Sequence, residues 1–361
     1  MTRRVASEQL GHPATSPRAP LPEVFLVSTQ TSTRSVPKRL SLVRLSEDSH
    51  PQSFAEAVRE GLTSRPKTLP CHYLYDPEGS KLFEAICDLP EYYLTRTEDA
   101  ILRDHAEAML CGWEKAPVLI ELGSGSSTKT RRLIGAALDL YGELHYIPID
   151  VSASILEESA RDLVRDYHPL RVTGYAGDYR VALGEIARRV RRPKCVVFLG
   201  SSLGNYEEAE AVELLTLMAN SMGADDRLLL GTDLAKDGAT LEAAYDDSQG
   251  VSAAFNRNLL TRINRELGGD FDPSLFEHRA TYRPDLGRVE MHLVSRRSQR
   301  VHVPGAGVEI AFAEGETIHT ENSHKYTLAT LASFAAKAGF VEESAWTDER
   351  GLFRVQRWRI S

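Results

Sequence analysis

Between residues 118 and 233 the apolar positions of this chain return in a regular rhythm. VLIEL (118–122) is a short apolar run, and LHYIPID (144–150), VTGYAGD (172–178), CVVFLG (195–200) and RLLLGTD (227–233) are further strand-like runs. After the first, Leu133, Ile134, Ala137, Leu138 and Tyr141 share one face of a helix over 130–141. After the second, Leu156, Ala160, Leu163, Val164 and Tyr167 form another stripe, and Ser154 with Glu157 has capping-box spacing. This alternation of strands and helices predicts an α/β fold, a parallel sheet covered by helices on both faces.

The rhythm stops after Asp233. Residues 236–325 mix a helical stretch (253–267) with alternating strands such as VEMHLVS (289–295) and VHVPGAGVEIAF (301–312), and residues 41–97 also lie outside the pattern. Leu328, Leu331, Phe334, Ala335 and Ala338 then mark a helix, followed by strands FVEESAW (340–346) and LFRVQRWRI (352–360). In the last strand Phe353 and Val355 share one phase and Trp358 and Ile360 the other, which suggests a bulge. Residues 1–40, with Pro13, Pro17, Pro20, Pro22 and Pro37 among Arg and Ser, read as a disordered tail. An Arg/Ser-rich, acid-poor tail also resembles an organelle transit peptide, but the prolines break any amphipathic helix.

A length of 361 residues suits two domains, or one large domain with an insertion. The net charge of −8 argues against nucleic acid as the main partner, because that binding rests on a basic face. Cys71, Cys87, Cys111 and Cys195 are widely and irregularly spaced, as expected of reduced thiols in the cytoplasm. No apolar run approaches the roughly 18 residues of a membrane span, and no continuous apolar segment suits a signal peptide.

The chemistry concentrates in LIELGSGSSTKTRRLI (119–134). A P-loop needs Gly immediately before its Lys, and a dinucleotide loop needs a third Gly; Thr128 stands at both positions. An S-adenosylmethionine (SAM) site needs neither. It asks for a strand ending in an acid, then Gly-x-Gly, and an acid on the next strand for the ribose hydroxyls. Glu121, Gly123 and Gly125 supply the first element, and Asp150 the second. Asp178, after the third strand, is placed for the adenine amino group.

ELGSGSSTKT, FLGSSLGNY, AYDDSQGVSAAFNRNLL, VEMHLVS, HTENSHKY and YLYDPEGSKLFEAICDLPEYYLTRTE together resemble the histidine-specific SAM-dependent methyltransferase family, over about residues 50–361. The resemblance implies a Rossmann-like class I methyltransferase sheet (98–235 and 326–361) and a second, substrate-binding α+β domain (41–97 and 236–325). It implies trimethylation of the α-amine of L-histidine to hercynine, the first step of ergothioneine biosynthesis; the alternative is the same fold acting on another amino acid or aromatic amine, such as a tryptophan derivative. By similarity Gly123, Lys129, Asp150, Asp178 and Tyr179 contact SAM. Tyr92, Asn205, Tyr245, Glu321, Asn322 and Ser323 hold the amino acid, and Tyr75 and Ser202, with Asn205, surround the reacting amine.

Glu321 can accept from an imidazole N–H and Ser323 can serve the other nitrogen, since neutral imidazole has one donor and one acceptor. Glu321 and Lys325 also read as an ordinary ion pair at helix spacing. Either Tyr75 or a bound water takes the amine proton. His319 and His324 flank Glu321 without the spacing of a helical ligand pair, and no metal is expected. A cytoplasmic enzyme without a membrane partner follows, its oligomeric state open with a monomer preferred.

Overall fold

The computed structural model describes residues 39–45 and 52–361. The segment before the rhythmic region forms β1 (Leu40–Arg44), α1 (Phe54–Thr63), β2 (Lys67–Thr68), α2 (Pro77–Cys87) and α3 (Tyr93–Leu110). The rhythmic region then runs β3 (Val118–Leu122), α4 (Arg131–Tyr141), β4 (Leu144–Asp150), α5 (Ala153–Asp166), β5 (Leu170–Ala176), α6 (Tyr179–Arg189), β6 (Lys194–Phe198), α7 (Glu208–Asn220) and β7 (Arg227–Asp233). After it come α8 (Gly238–Tyr245), α9 (Val251–Leu267) and strands β8 (Phe276–Arg283), β9 (Arg288–Ser295), β10 (Gln299–Val303), β11 (Val308–Phe312) and β12 (Thr317–His324). The chain ends with α10 (Leu328–Ala338), β13 (Phe340–Thr347) and β14 (Phe353–Ile360).

Eight strands make one sheet in the order β1-β5-β4-β3-β6-β7-β14-β13. Its first six strands run parallel, β14 runs antiparallel to β7, and β13 antiparallel to β14. β3 and β6 are buried along their whole length, as central strands under two helical layers must be. Chain order reverses between β3 and β6, so the crevice beyond their carboxyl ends is where an open α/β sheet receives a ligand. The second sheet, β2-β12-β9-β8, joins the two segments that interrupt the rhythm: Ile318 and His319 pair in parallel with Lys67 and Thr68.

Several sequence expectations need correction. Arg39 and Leu40 are not tail: Leu40 pairs with Val172 and is buried. The Arg39 guanidinium donates to the carbonyls of Val164, Tyr167 and Leu170 at 2.8–2.9 Å, closing the C-terminal end of α5. β1 therefore belongs to the large sheet and not to the second layer; residues 1–38, including the rest of the expected tail, lie outside the described residues. α3 crosses the expected boundary at residues 97/98, packing on α4 and β14 from Tyr93 onward.

The N-cap of α5 is Ser152, without a side-chain capping bond, so Ser154 and Glu157 form no capping box; Glu157 pairs with Arg161 instead. β14 pairs with β7 without interruption, and its two apolar phases face two different cores, Phe353 and Val355 one and Trp358 the other. The register shift lies in its neighbour β13, between Glu342 and Ser344.

Candidate active site

A cleft of about 1100 Å³ opens where the carboxyl edge of the large sheet faces the small sheet, α2 and α9. All thirteen residues that the resemblance assigns to SAM, the amino acid or the reacting amine line it, from Tyr75 to Ser323. At one end lies the loop after β3. Gly123 and Gly125 have φ of +68° and +50°, and a Cβ on either would meet open space, so the loop presents bare backbone to the cleft. Ser127 adopts φ +56°, a conformation L residues rarely take.

The carboxylates at the strand ends tie this loop down. Asp150 Oδ2 accepts from the Gly125 N–H at 2.8 Å and Oδ1 from the Ser152 N–H at 2.8 Å. Burial pushes the Asp150 pKa up, and those backbone donors oppose it. Glu121 is buried and accepts from the Thr130 and Tyr146 hydroxyls; burial raises its pKa to about 7 against those bonds. The hydroxyl of Ser124 is buried and has no hydrogen-bond partner among the described residues.

Lys129 borders the cleft, but its ammonium is paired with Glu98, a fully buried carboxylate of α3 that also accepts from the Gly200 N–H at 2.9 Å. Sequence spacing gave no sign of Glu98, which comes from a different element. Asp178 caps α6 through the Arg180 N–H at 2.7 Å. The Tyr179 phenol is hydrogen-bonded to that of Tyr206. Ser202 donates its hydroxyl proton to the Leu199 carbonyl at 2.9 Å, leaving its oxygen only an acceptor role toward a ligand.

The other end is aromatic. The ring of Tyr75 packs edge-on against Phe83 at 5.3 Å and Phe255 at 5.4 Å, and Tyr92 against Tyr245 at 6.0 Å. The phenols of Tyr75 and Tyr92 and the amide of Asn205 have no hydrogen-bond partner among the described residues. Burial holds the Tyr75 pKa well above 10, so this phenol keeps its proton in the ligand-free cleft. Tyr75 can still accept a hydrogen bond from an amine.

β12 carries the remaining groups. Strand alternation turns Glu321 and Ser323 to the cleft and sends the Asn322 amide to Glu207, 3.1 Å away, although Asn322 also borders the cleft. The Glu321 carboxylate has no hydrogen-bond partner among the described residues, and burial raises its pKa to about 7 against the pull of Lys325. The segment is a strand, so Lys325 is not at helix spacing from Glu321. Instead it lies 2.9 Å from Asp233 and donates to the Tyr245 and Ser323 hydroxyls, each at 2.8 Å. His319 Nε2 lies 3.1 Å from the Glu321 carbonyl and His324 3.8 Å from Glu207. Among the described residues no cluster of His, Cys, Asp or Glu is arranged to hold a metal, and no helix is long and apolar enough to cross a membrane.

Comparison with known proteins adds a lineage to this geometry. A family model described as "Histidine-specific methyltransferase, SAM-dependent" matches residues 54–360. Histidine N-alpha-methyltransferase of Mycolicibacterium smegmatis is 43% identical over 309 residues, 86% of this chain and 95% of that protein. Its namesake in Mycobacterium tuberculosis is 42% identical over the same shares. Ergothioneine biosynthesis protein 1 of Neurospora crassa is 30% identical over 82% of this chain and 34% of its own length.

Proposed function

The chain belongs to the histidine-specific SAM-dependent methyltransferase family, and from that membership we propose that it methylates the α-amine of L-histidine, three times in succession, to hercynine for ergothioneine biosynthesis. The observation that carries this reading is a single continuous cleft. It has an open glycine loop beside a backbone-anchored carboxylate at one end and a free buried carboxylate, Glu321, at the other.

The donor end fits SAM on its own chemistry. Bare backbone at Gly123 and Gly125, an unpaired Ser124 hydroxyl and two carboxylate oxygens on Asp150 with lone pairs to spare suit a ligand carrying a ribose diol and an amino acid tail. Asp150 would accept from the diol, and Asp178 and Tyr179 would border the base. We assign Lys129 to anchoring the loop through Glu98 and not to the ligand itself. When bound, SAM supplies an electrophilic sulfonium methyl. The small sheet with α2 and α9 holds the acceptor.

Transfer to nitrogen is an in-line displacement, so positioning carries much of the catalysis. Asn205 and Tyr245 hold the substrate carboxylate, while Glu321 accepts the imidazole N–H and Ser323 donates to the other ring nitrogen. Tyr75 and Tyr92 turn their phenols to the amine and orient its lone pair. An α-amine titrates near pH 8, so a neutral fraction exists without a strong base; the proton released after each of the first two transfers passes to water, and the third leaves a quaternary nitrogen with none to lose. The reaction needs no metal. Four free cysteines support a cytoplasmic setting, and a cleft completed within one chain supports activity as a monomer.

The test is incubation of the protein with SAM and a panel of amino acids, followed by mass spectrometry. Increments of one, two and three methyl groups on histidine are expected. SAM consumption with another amino acid preferred, or none on histidine, overturns the reading.

A further inference from the structure

Lys325 is fully buried, and its three N–H donors have three acceptors: Asp233 Oδ2 at 2.9 Å, the Tyr245 hydroxyl at 2.8 Å and the Ser323 hydroxyl at 2.8 Å. An ammonium accepts nothing. Each hydroxyl oxygen is therefore already receiving a hydrogen bond from behind, and each must send its own proton elsewhere. In the ligand-free cleft one of them donates to the other, across 2.7 Å. Both can turn forward once a ligand offers acceptors.

Asp233 fixes the lysine in turn. It ends β7 with no exposure, and its other contacts are the Tyr93 phenol at 2.7 Å and the Lys236 ammonium at 2.6 Å. Shared between these donors, Asp233 holds the Lys325 ammonium in place behind Tyr245 and Ser323.

We propose that Lys325 is a positioning residue that sets acceptor specificity, by making Tyr245 and Ser323 donors toward the ligand. It selects an amino acid whose carboxylate faces Tyr245 and whose side-chain ring presents a hydrogen-bond acceptor to Ser323. A ring with a donor alone, such as pyrrole or indole, meets an O–H that it cannot satisfy, and a buried polar group without a partner is the strong form of rejection. Glu321, opposite, demands the donor. The two together require a ring with one of each. This inference rests on the assignment of Glu321 and Ser323 to the ring.

The test reads the ratio of kcat/KM for L-histidine to that for 3-(pyrrol-2-yl)-L-alanine, which has a ring of similar size without the acceptor nitrogen. In Lys325→Met both hydroxyls are released to accept, and the ratio should fall about tenfold or more. Ser323→Ala should fall similarly, and the double variant should fall no further than Ser323→Ala alone. Lys325→Arg, which retains donors, should preserve most of the ratio. If Lys325→Met does not fold, Lys325→Gln, whose carbonyl gives a hydroxyl proton an acceptor away from the ligand, should lower the ratio by a smaller factor, and an unchanged ratio overturns the proposal. A purely structural lysine would lower both kcat/KM values together and leave the ratio unchanged, which overturns the proposal. If Glu321→Gln and Ser323→Ala also leave the ratio unchanged, the ring does not sit here and the underlying assignment falls with it.

Discussion

The backbone N–H of Gly125 donates to Asp150 Oδ2 at 2.8 Å, so the loop after β3 and the carboxylate that ends β4 form one unit. Neither can move without the other. Because Ser152 holds the second oxygen at the same distance, the carboxylate plane is fixed before any ligand arrives.

That arrangement predicts the effect of substitution at Asp150. Removing a charged acceptor from two ligand hydroxyls should weaken SAM binding at least tenfold in Asp150→Ala, and less in Asp150→Asn, by isothermal titration. Parent-like affinity in both variants would remove Asp150 from the donor site.

Lys129 should behave as an anchor. Lys129→Met leaves Glu98 an uncompensated buried charge, a change that typically costs about 3 kcal/mol or more. Lys129→Met/Glu98→Gln should recover much of that loss in urea unfolding. If Lys129→Met instead matches Asp150→Ala in SAM affinity with stability intact, the lysine is a ligand contact after all.

Glu321 gives the reaction a pH signature. Its pKa of about 7 means that the carboxyl begins to lose its acceptor role in the neutral range as pH falls. Dividing the parent kcat/KM for histidine by that of Glu321→Gln cancels the titrations of the substrate itself. The quotient should be flat above about pH 8 and fall through about 7. A quotient independent of pH would show that Glu321 stays ionised or does not touch the ring.

Glu121 affects stability in the opposite sense to a paired surface acid. Its pKa rises from 4.5 to about 7 on folding, so the folded chain holds this proton more tightly than the unfolded one. Its contribution is therefore most favourable below about pH 4.5 and is lost as pH climbs through about 7, by at most about 3 kcal/mol. Glu121→Gln should flatten the dependence of unfolding free energy on pH across that window. An unchanged slope would mean that other groups set it.

The two ends of the cleft differ in how legible they are. The donor end is contiguous: strand, glycine loop, helix and the acids at successive strand ends all lie between residues 118 and 178, and period and turn chemistry expose them directly. The acceptor end draws Tyr75, Tyr92, Asn205, Tyr245 and Glu321 from five separated segments, and no local pattern unites them; resemblance alone gathered those residues. Lys325 was misread because residues four apart attract only on a helix, and this segment is a strand. Glu98 gave no signal because its partner, Lys129, is on another element. The final strand suggested a bulge because two apolar phases look like a break, when β14 simply has a core on each face. Leu40–Arg44 escaped notice because five residues beside a Pro/Ser-rich stretch are too few to show a period.

The pairing of β2 with β12 joins residues 67–68 to 318–319, some 250 positions apart along the chain. Such a contact has to wait for nearly the whole polypeptide, whereas the sheet order from β3 to β7 needs nothing beyond residue 233. During synthesis the chain should accordingly acquire its methyl-donor cradle well before its amino-acid chamber. Amide exchange on chains stalled near residue 240 should show β3 to β5 already protected, and the two halves of one active site would then have different birthdays.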